Sequence, residues 1–538
     1  MRKSVAFLII CLLGLNGYSQ NKSTEDYTYE MSNPYKVFDA RNKFYFSKDN
    51  EAITLKFGGA NVIIQKFSID KPSVIKEKKY EAFFPKNYSV ETILELNNKH
   101  YFFFSSWDGD TEKEQVFSIE IDFTSGEFVG KPKLMFQVEG KVSGSYTAAF
   151  SIGDKFKLIP SQDKKSLLIQ YTKKVLIKDK AKYSDVVGFY RYDADLNKIS
   201  GNEITMPYKR IREENLDYML DNAGNIYMLA KVFHDDSNED IKKNEEVPNY
   251  HVELFLIRSG STDIAISKID NKDKFPSELQ LCGTDKDFIV CTGYYSDRGS
   301  HYAYNSHTSN IEGFVYFKVK PDGSIHDHVL HEIPRNIFDD YESEDFRKYN
   351  EKNKKEGLLL FDNIAISSVT LDKDGGVLLV GEQSYYSSGG QYGTSTYKYD
   401  HILIVKIKTN GELAWIKKIP KQQYSSMGTG GMSFQYFTEN ENHYFVFLDN
   451  KKNLDLLPNQ ETEQYSESGK DEPYLMVVKV DDKDGSSTKK MVMNIKEVNN
   501  YELKQFDVDR IFKANDSSFM FEAYKKDKED VMVKVNLK

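Results

Sequence analysis

A unit of four short apolar runs joined by tight polar turns recurs along this chain and constrains its fold more than any other feature. The cleanest copy spans Ile364 to Pro420. There IAISSVTL meets the turn Asp372-Lys373-Asp374-Gly375-Gly376 and VLLVGEQ follows. A Tyr/Ser/Gly-rich connection then leads to HILIVKIK, and Thr409-Asn410-Gly411-Glu412 turns the chain into LAWIKKI. Runs of this length, bounded by Gly, Asn and Asp, read as strands of one antiparallel meander. The abundance of Tyr (36) and Phe (35) over Pro (13) points the same way, because strands accept aromatic residues readily.

Other copies follow the same plan. The first runs from about Arg41 to Tyr80, the second from Val90 to Val138, and the third, less clearly marked, from Phe156 to Pro207. LDYML opens the fourth, ELQLC the fifth and MSFQYF the seventh. The last, from Tyr501, holds FDVDRIF, SFMFEAY and DVMVKVNL and is one strand short. An all-β ring, a β-propeller of four-stranded antiparallel blades, satisfies this repetition. Eight blades are expected, with seven as the fallback. DYTYEMS, Asp26 to Ser32, is expected to supply the missing strand and remove the open edges. Runs such as HYFFF, VLLV and HYFVF are continuous rather than alternating, as strands covered on both faces require, so their aromatics read as filling between blades.

LDKDGGVLLVGE followed by DHILIVKIKTNGELAWIKKI, echoed by LDNAGNIYMLAKV and FVYFKVKPDGSI, resembles the repeats of bacterial exported β-propeller proteins of the NHL and SBBP style. The resemblance implies the fold and no particular activity.

Arg2 and Lys3 precede an apolar run from Val5 to Leu15, and Gly17-Tyr18-Ser19 offers small residues for cleavage before Gln20. Residues 1–19 therefore read as a secretory signal and 20–538 as one propeller domain, periplasmic or extracellular. No later run is long enough for a transmembrane helix. Cys11 lies inside the apolar run with Ile10 before it, which argues against a lipid anchor. The formal charge is −9, and with no dense basic patch nucleic acid is a poor partner.

Cys282 and Cys291, in LQLCGTDKDFIVCTG, lie on consecutive predicted strands. A turn centred between Lys286 and Asp287 would oppose them as a hairpin disulfide. A one-residue shift would leave two buried thiols, and both readings stand.

The expected connections between second and third strands are long: Ser106 to Glu114, Thr172 to Asp185, His234 to Tyr250, Tyr294 to Glu312, Ser384 to Asp400, and Asp449 to Pro473. In an up-and-down blade these emerge on one face, together with the blade-to-blade connections. The longest of those, Pro334 to Asn363, carries a charged segment, Asp339 to Glu356, that suits a short helix. The other turns are short, so elaboration falls on one face, often the binding face of a repeat protein. Two adjacent connections have a paratope-like composition. Tyr294, Tyr295, Arg298, His301, Tyr302 and Tyr304 in one, with Tyr385, Tyr386 and Tyr392 in the other, are the candidate binding residues.

Chemistry is sparse. His326 and His328 share a strand face but His331 does not, so an exposed polar strand is favoured over a metal site. Asp193-Ala194-Asp195-Leu196-Asn197 imitates a calcium loop but has Lys198 where Gly is required. G-x-S-x-G, Walker, HExxH and dinucleotide-binding patterns are absent. No catalytic residue, metal or cofactor is expected. The leading expectation is an exported, non-enzymatic propeller that binds a protein or glycan through its long-loop face. A polysaccharide hydrolase or lyase with carboxylates at the channel, and a structural envelope component, are the alternatives.

Overall fold

Asn97 and Asn98 both take left-handed φ values, 45° and 64°, and join the strands Ser89–Leu96 and Lys99–Asp108 through a two-residue hairpin. Tight turns with a left-handed residue, Gly at some and Asn, Asp or Lys at others, set the strand spacing throughout the computed structural model. It describes residues 22–23 and 27–537, apart from 147–151, 154, 243–244, 246, 297–300, 304–305, 309–310, 355–362, 373–374, 390–393, 429, 467–471, 497, 499–500, 502 and 526. The leader expected over residues 1–19 lies outside the described residues.

Eight antiparallel four-stranded blades form the ring of a β-propeller. Seven are continuous in sequence, at 42–81, 89–139, 157–205, 213–269, 275–332, 364–419 and 435–494. The eighth takes Ile511–Asn515, Ser518–Lys525 and Glu529–Asn536 from the end of the chain and Thr28–Met31 from its start. Thr28 pairs with Asn536 and Met31 with Val533, and Asn536 Nδ2 donates to Thr28 Oγ1 at 3.0 Å. The closing strand alternates as a strand with one covered face should, burying Tyr29 and Met31 against Tyr444, Val446 and Leu475 of blade seven.

The continuous apolar runs are explained by the ring. In Val377–Ser387, Val377 and Leu379 fill the seam with blade five, while Leu378 and Val380 fill the seam with blade seven. Among the described residues eight such buried clusters occur, one for each seam. The one between blades one and two is rich in aromatic rings, with Phe57, Phe84, Phe102 and Phe104 in ring contact among aliphatic neighbours such as Ile53, Leu55 and Ile119. The closing seam, between blades eight and one, has the smallest apolar cluster among the described residues.

Successive blades also nest through their turns. Gly411, at φ 85°, rests on Tyr316 of blade five. Gly485, at φ 71°, lies against Trp415 of blade six so closely that an added Cβ would stand 2.7 Å from the indole. Both positions need glycine, for the left-handed backbone and for the close approach.

The cysteine hairpin departs from the disulfide reading. Leu281 pairs with Cys291 and Cys282 with Val290, because the turn Thr284–Phe288 has five residues and centres on Lys286. Thr284 Oγ1 donates to Phe288 O and accepts from Lys286 N to close it. The one-residue offset puts the two side chains on opposite faces of the sheet, and both thiols are free.

Candidate functional site

First strands line the axis and begin at the long-loop face, so this face carries the second-to-third and blade-to-blade connections. The expected elaboration is there, with one exception. In blade two, Lys113 pairs with Asp108, so the connection is a four-residue turn rather than a long loop.

Over blades five to seven the connections form a platform. The insertion after Pro334 holds two short helices, Arg335–Asp339 and Glu344–Lys354, the second where the charged segment suggested one. It bridges blade six to reach the blade-seven connection. Tyr341 N donates to Pro458 O at 2.7 Å, Thr462 N to Tyr341 O at 3.1 Å, and Arg347 Nη2 to Asn459 O at 3.0 Å.

Beneath the bridge, Glu342 accepts from Lys418 Nζ (2.8 Å) and meets His401 Nε2 at 3.1 Å. Burial opposes ionisation of Glu342. The hydrogen bond from His401 and the charge of Lys418 outweigh it and bring its pKa to about 2. Burial, reinforced by Lys418, lowers His401 to about 4. His401 is therefore neutral near pH 7, with Nε2–H toward Glu342 and Nδ1 accepting from Lys421 N at 3.4 Å. Lys421, wholly buried, pairs with Glu382 at 2.8 Å, and Ser433 Oγ donates to Glu382 Oε2 at 2.6 Å. The network fastens the platform to blade six.

The tyrosine-rich candidates divide. Tyr294 and Tyr295 belong to the strand Ile289–Ser296 and are buried, Tyr294 filling the seam with blade six. They fill core space and present no ring to a partner. His301 and Tyr302 pair with Thr308 and His307 in a small hairpin, while Arg298, Tyr304 and Tyr392 lie outside the described residues. Tyr385 and Tyr386 stand on a ribbon in which the blade-six hairpin continues upward, Tyr386 opposite Tyr397, with Gln423–Ser425 paired along the far side of Tyr397–Tyr399. The Tyr386 and Tyr397 ring centroids lie 4.9 Å apart, and Tyr386 is exposed. Met427 and Leu457, on the neighbouring connections, are also exposed.

A second polar group, which the sequence reading missed, occupies the upper seam between blades three and four. Glu213, Asn215 and Glu253 share one face of blade four through the pairings Glu213–Val232, Asn215–Ala230 and Ala230–Glu253. Glu253 Oε1 accepts from Tyr208 (3.1 Å) and meets His251 Nε2 at 2.8 Å. Arg210 pairs with Asp185 at 3.3 Å. Glu213 Oε2, Asn215 Oδ1 and Glu253 Oε2 are buried without a donor among the described residues. Burial, then the neighbouring Asp185 and Glu253, raise Glu213 to about 7, while Arg210 opposes the shift. A carboxyl kept protonated to neutrality can donate to one of these acceptors. The sequence signal was a charge within an apolar run, as in HVELFLI.

Lower down the axis, inner-strand carboxylates bracket the next blade. Asp217 Oδ2 accepts from Leu281 N, and Glu278 Oε2 from Ile366 N, each at 2.7 Å.

Among the described residues no cluster of His, Cys, Asp or Glu is arranged to hold a metal. His331 is turned to Gly411 O (2.6 Å) and His326 to Ser324. Asp193 spends both oxygens on donors from Asp195 and Asn197, closing a turn. No described helix is long and apolar enough to cross a membrane.

No family model and no curated protein matches the chain. Solved structures do. The β-propeller domain of the Trilobed protease from Pyrococcus furiosus aligns with 86% of this chain and 98% of that one, at 10% identity and a TM-score of 0.35. Pyrococcus horikoshii acylaminoacyl peptidase aligns with 90% of this chain and 58% of its own length, at 11% identity and TM-score 0.34. An uncharacterized protein from Listeria monocytogenes aligns with 78% and 90%, at 10% identity and TM-score 0.33. They say nothing of this chain's activity.

Proposed function

We propose that the chain is an exported propeller, similar in style to NHL and SBBP repeat proteins, that binds a protein or glycan without catalysis through its long-loop face over blades five to seven. The observation that carries this reading is the bridged platform. The insertion, the ribbon and the blade-seven connection are tied together by backbone hydrogen bonds and buried ion pairs, yet leave Tyr386, Met427 and Leu457 exposed. A rigid support with amphipathic side chains facing outward loses little freedom on binding.

The test presents the mature protein to a glycan array and to crosslinking in the native envelope, beside a Tyr386→Ser/Met427→Ser/Leu457→Ser variant. Loss of a defined ligand by the variant supports the reading, and equal capture by both proteins overturns it. Export is checked separately, by whether the mature N-terminus is Gln20.

Glu213 favours a second reading, a polysaccharide hydrolase or lyase. A carboxyl protonated up to about pH 7 beside Asp185 and Glu253 suits a proton donor. Glycan turnover that Glu213→Gln abolishes would establish that reading in place of the first.

A further inference from the structure

On blade three the same face ends in a different kind of tip. The connection 173–185 turns Leu176 and Ile177 outward, and Leu176, 89% exposed, is the most exposed large apolar side chain among the described residues. Lys174, Lys178 and Lys180 are exposed around it, and none joins an ion pair among the described residues. Lys141 lies beside them, its backbone oxygen accepting from Lys174 N at 2.9 Å and its ammonium 5.2 Å from the Trp107 ring centroid. The tip is held in place. Lys173 bridges to Val142 and pairs with Glu203 at 2.7 Å, and Asp179 caps the turn Lys180–Lys182 by accepting from Ala181 N. Asp179 also pairs with Lys182 at 3.1 Å, which leaves Lys174, Lys178 and Lys180 without an ion-pair partner among the described residues.

Such an arrangement needs a partner that is apolar inside and anionic outside. A protein would have to offer a hollow shaped to a convex tip, whereas the headgroup layer of a bilayer opens around one. Lysine stems can also lie along an apolar boundary while their ammonium groups reach phosphate. The net charge of −9 does not oppose this at contact, because charges further away than about 8–10 Å are screened.

We propose that this tip seats the protein on an anionic lipid surface, Leu176 and Ile177 entering the boundary between headgroups and acyl chains while Lys141, Lys174, Lys178 and Lys180 meet lipid phosphates. The seat is separate from the platform over blades five to seven, so either can fail alone. It does not depend on the compartment.

Vesicle flotation tests it, comparing phosphatidylcholine with an equal mixture of phosphatidylcholine and phosphatidylglycerol. The protein should float with the mixed vesicles only, and progressively less as salt is raised. Each Lys→Gln change at 174, 178 or 180 should lower partitioning roughly fivefold, and Leu176→Ser/Ile177→Ser should abolish it. These side chains are exposed, so an unchanged thermal midpoint verifies that the ring is intact. Absence of flotation, equal flotation with both vesicle types, or flotation unaffected by the variants overturns the proposal. So does binding to polyglutamate without binding to vesicles, which would assign the tip to an acidic protein.

Discussion

Lys56 of blade one and Glu522 of blade eight form an ion pair across the seam that closes the ring, and neither side chain has any solvent exposure. Lys43 joins Glu522 at 3.2 Å, and the Tyr35 and Tyr45 hydroxyls donate to it at 2.8 and 2.6 Å. Burial opposes the charge on Glu522, but Lys56, Lys43 and these hydrogen bonds hold its pKa well below the usual carboxylate range. Removing one partner strands a buried charge. Lys56→Met is expected to cost about 3–5 kcal/mol, read from urea denaturation. Lys56→Met/Glu522→Leu should recover much of that loss.

Glu213, whose pKa is raised where that of Glu522 is lowered, makes stability fall as pH rises. Its folded pKa, about 7, lies above the ordinary 4.5. The native state therefore holds the extra proton between these values, and the stability contribution falls as pH rises through that window. Glu213→Gln should exceed the wild type by roughly 1–3 kcal/mol at pH 8, the difference disappearing near pH 4. Denaturation midpoints across this range decide it; a constant difference would contradict it.

Gly485→Ala should destabilise the protein by about 1–3 kcal/mol, since it combines a left-handed backbone with a contact on the Trp415 ring. Alanine at Gly260, where φ is 81° but nothing lies within 4 Å of the added Cβ, isolates the backbone part and should cost less. Thermal midpoints of the two variants make the comparison.

Cys282 and Cys291 should both titrate with a thiol reagent in the denatured, non-reduced protein, and Cys291 should be unreactive in the native one. Burial is the first cause raising both thiols, Cys282 to about 12, which leaves little thiolate near neutrality. A reductant should leave the thermal midpoint unchanged.

The architecture was readable because it depends on local signals repeated many times. Apolar runs such as VLLV and turns such as Thr409-Asn410-Gly411 state strand and reversal independently in each blade, and DYTYEMS was recognisable as the strand missing from the last one. Register was harder to read. The cysteine hairpin depends on whether its turn has an odd or even number of residues, and composition does not say. Tyr294 and Tyr295 misled because a loop-like composition began while the strand was still running. The buried charges were missed for another reason. Lys56, Glu253, Glu382 and Glu522 each interrupt an apolar run, but nothing in the run names the partner: Glu382 meets Lys421 and Ser433 from the connection after its blade, and Lys56 meets Glu522 only when the ring closes.

The pairing of Thr28–Met31 with Glu529–Asn536 makes this chain a circle in all but its covalent bonds. Asn536 and Thr28 are hydrogen-bonded neighbours, so a short linker between them would leave every blade as it stands. The ring could then be opened at a short turn such as 259–261, relocating the ends without changing the fold. It also orders assembly: Thr28–Met31 must wait for Glu529–Asn536, so the ring closes only after all eight blades have their strands.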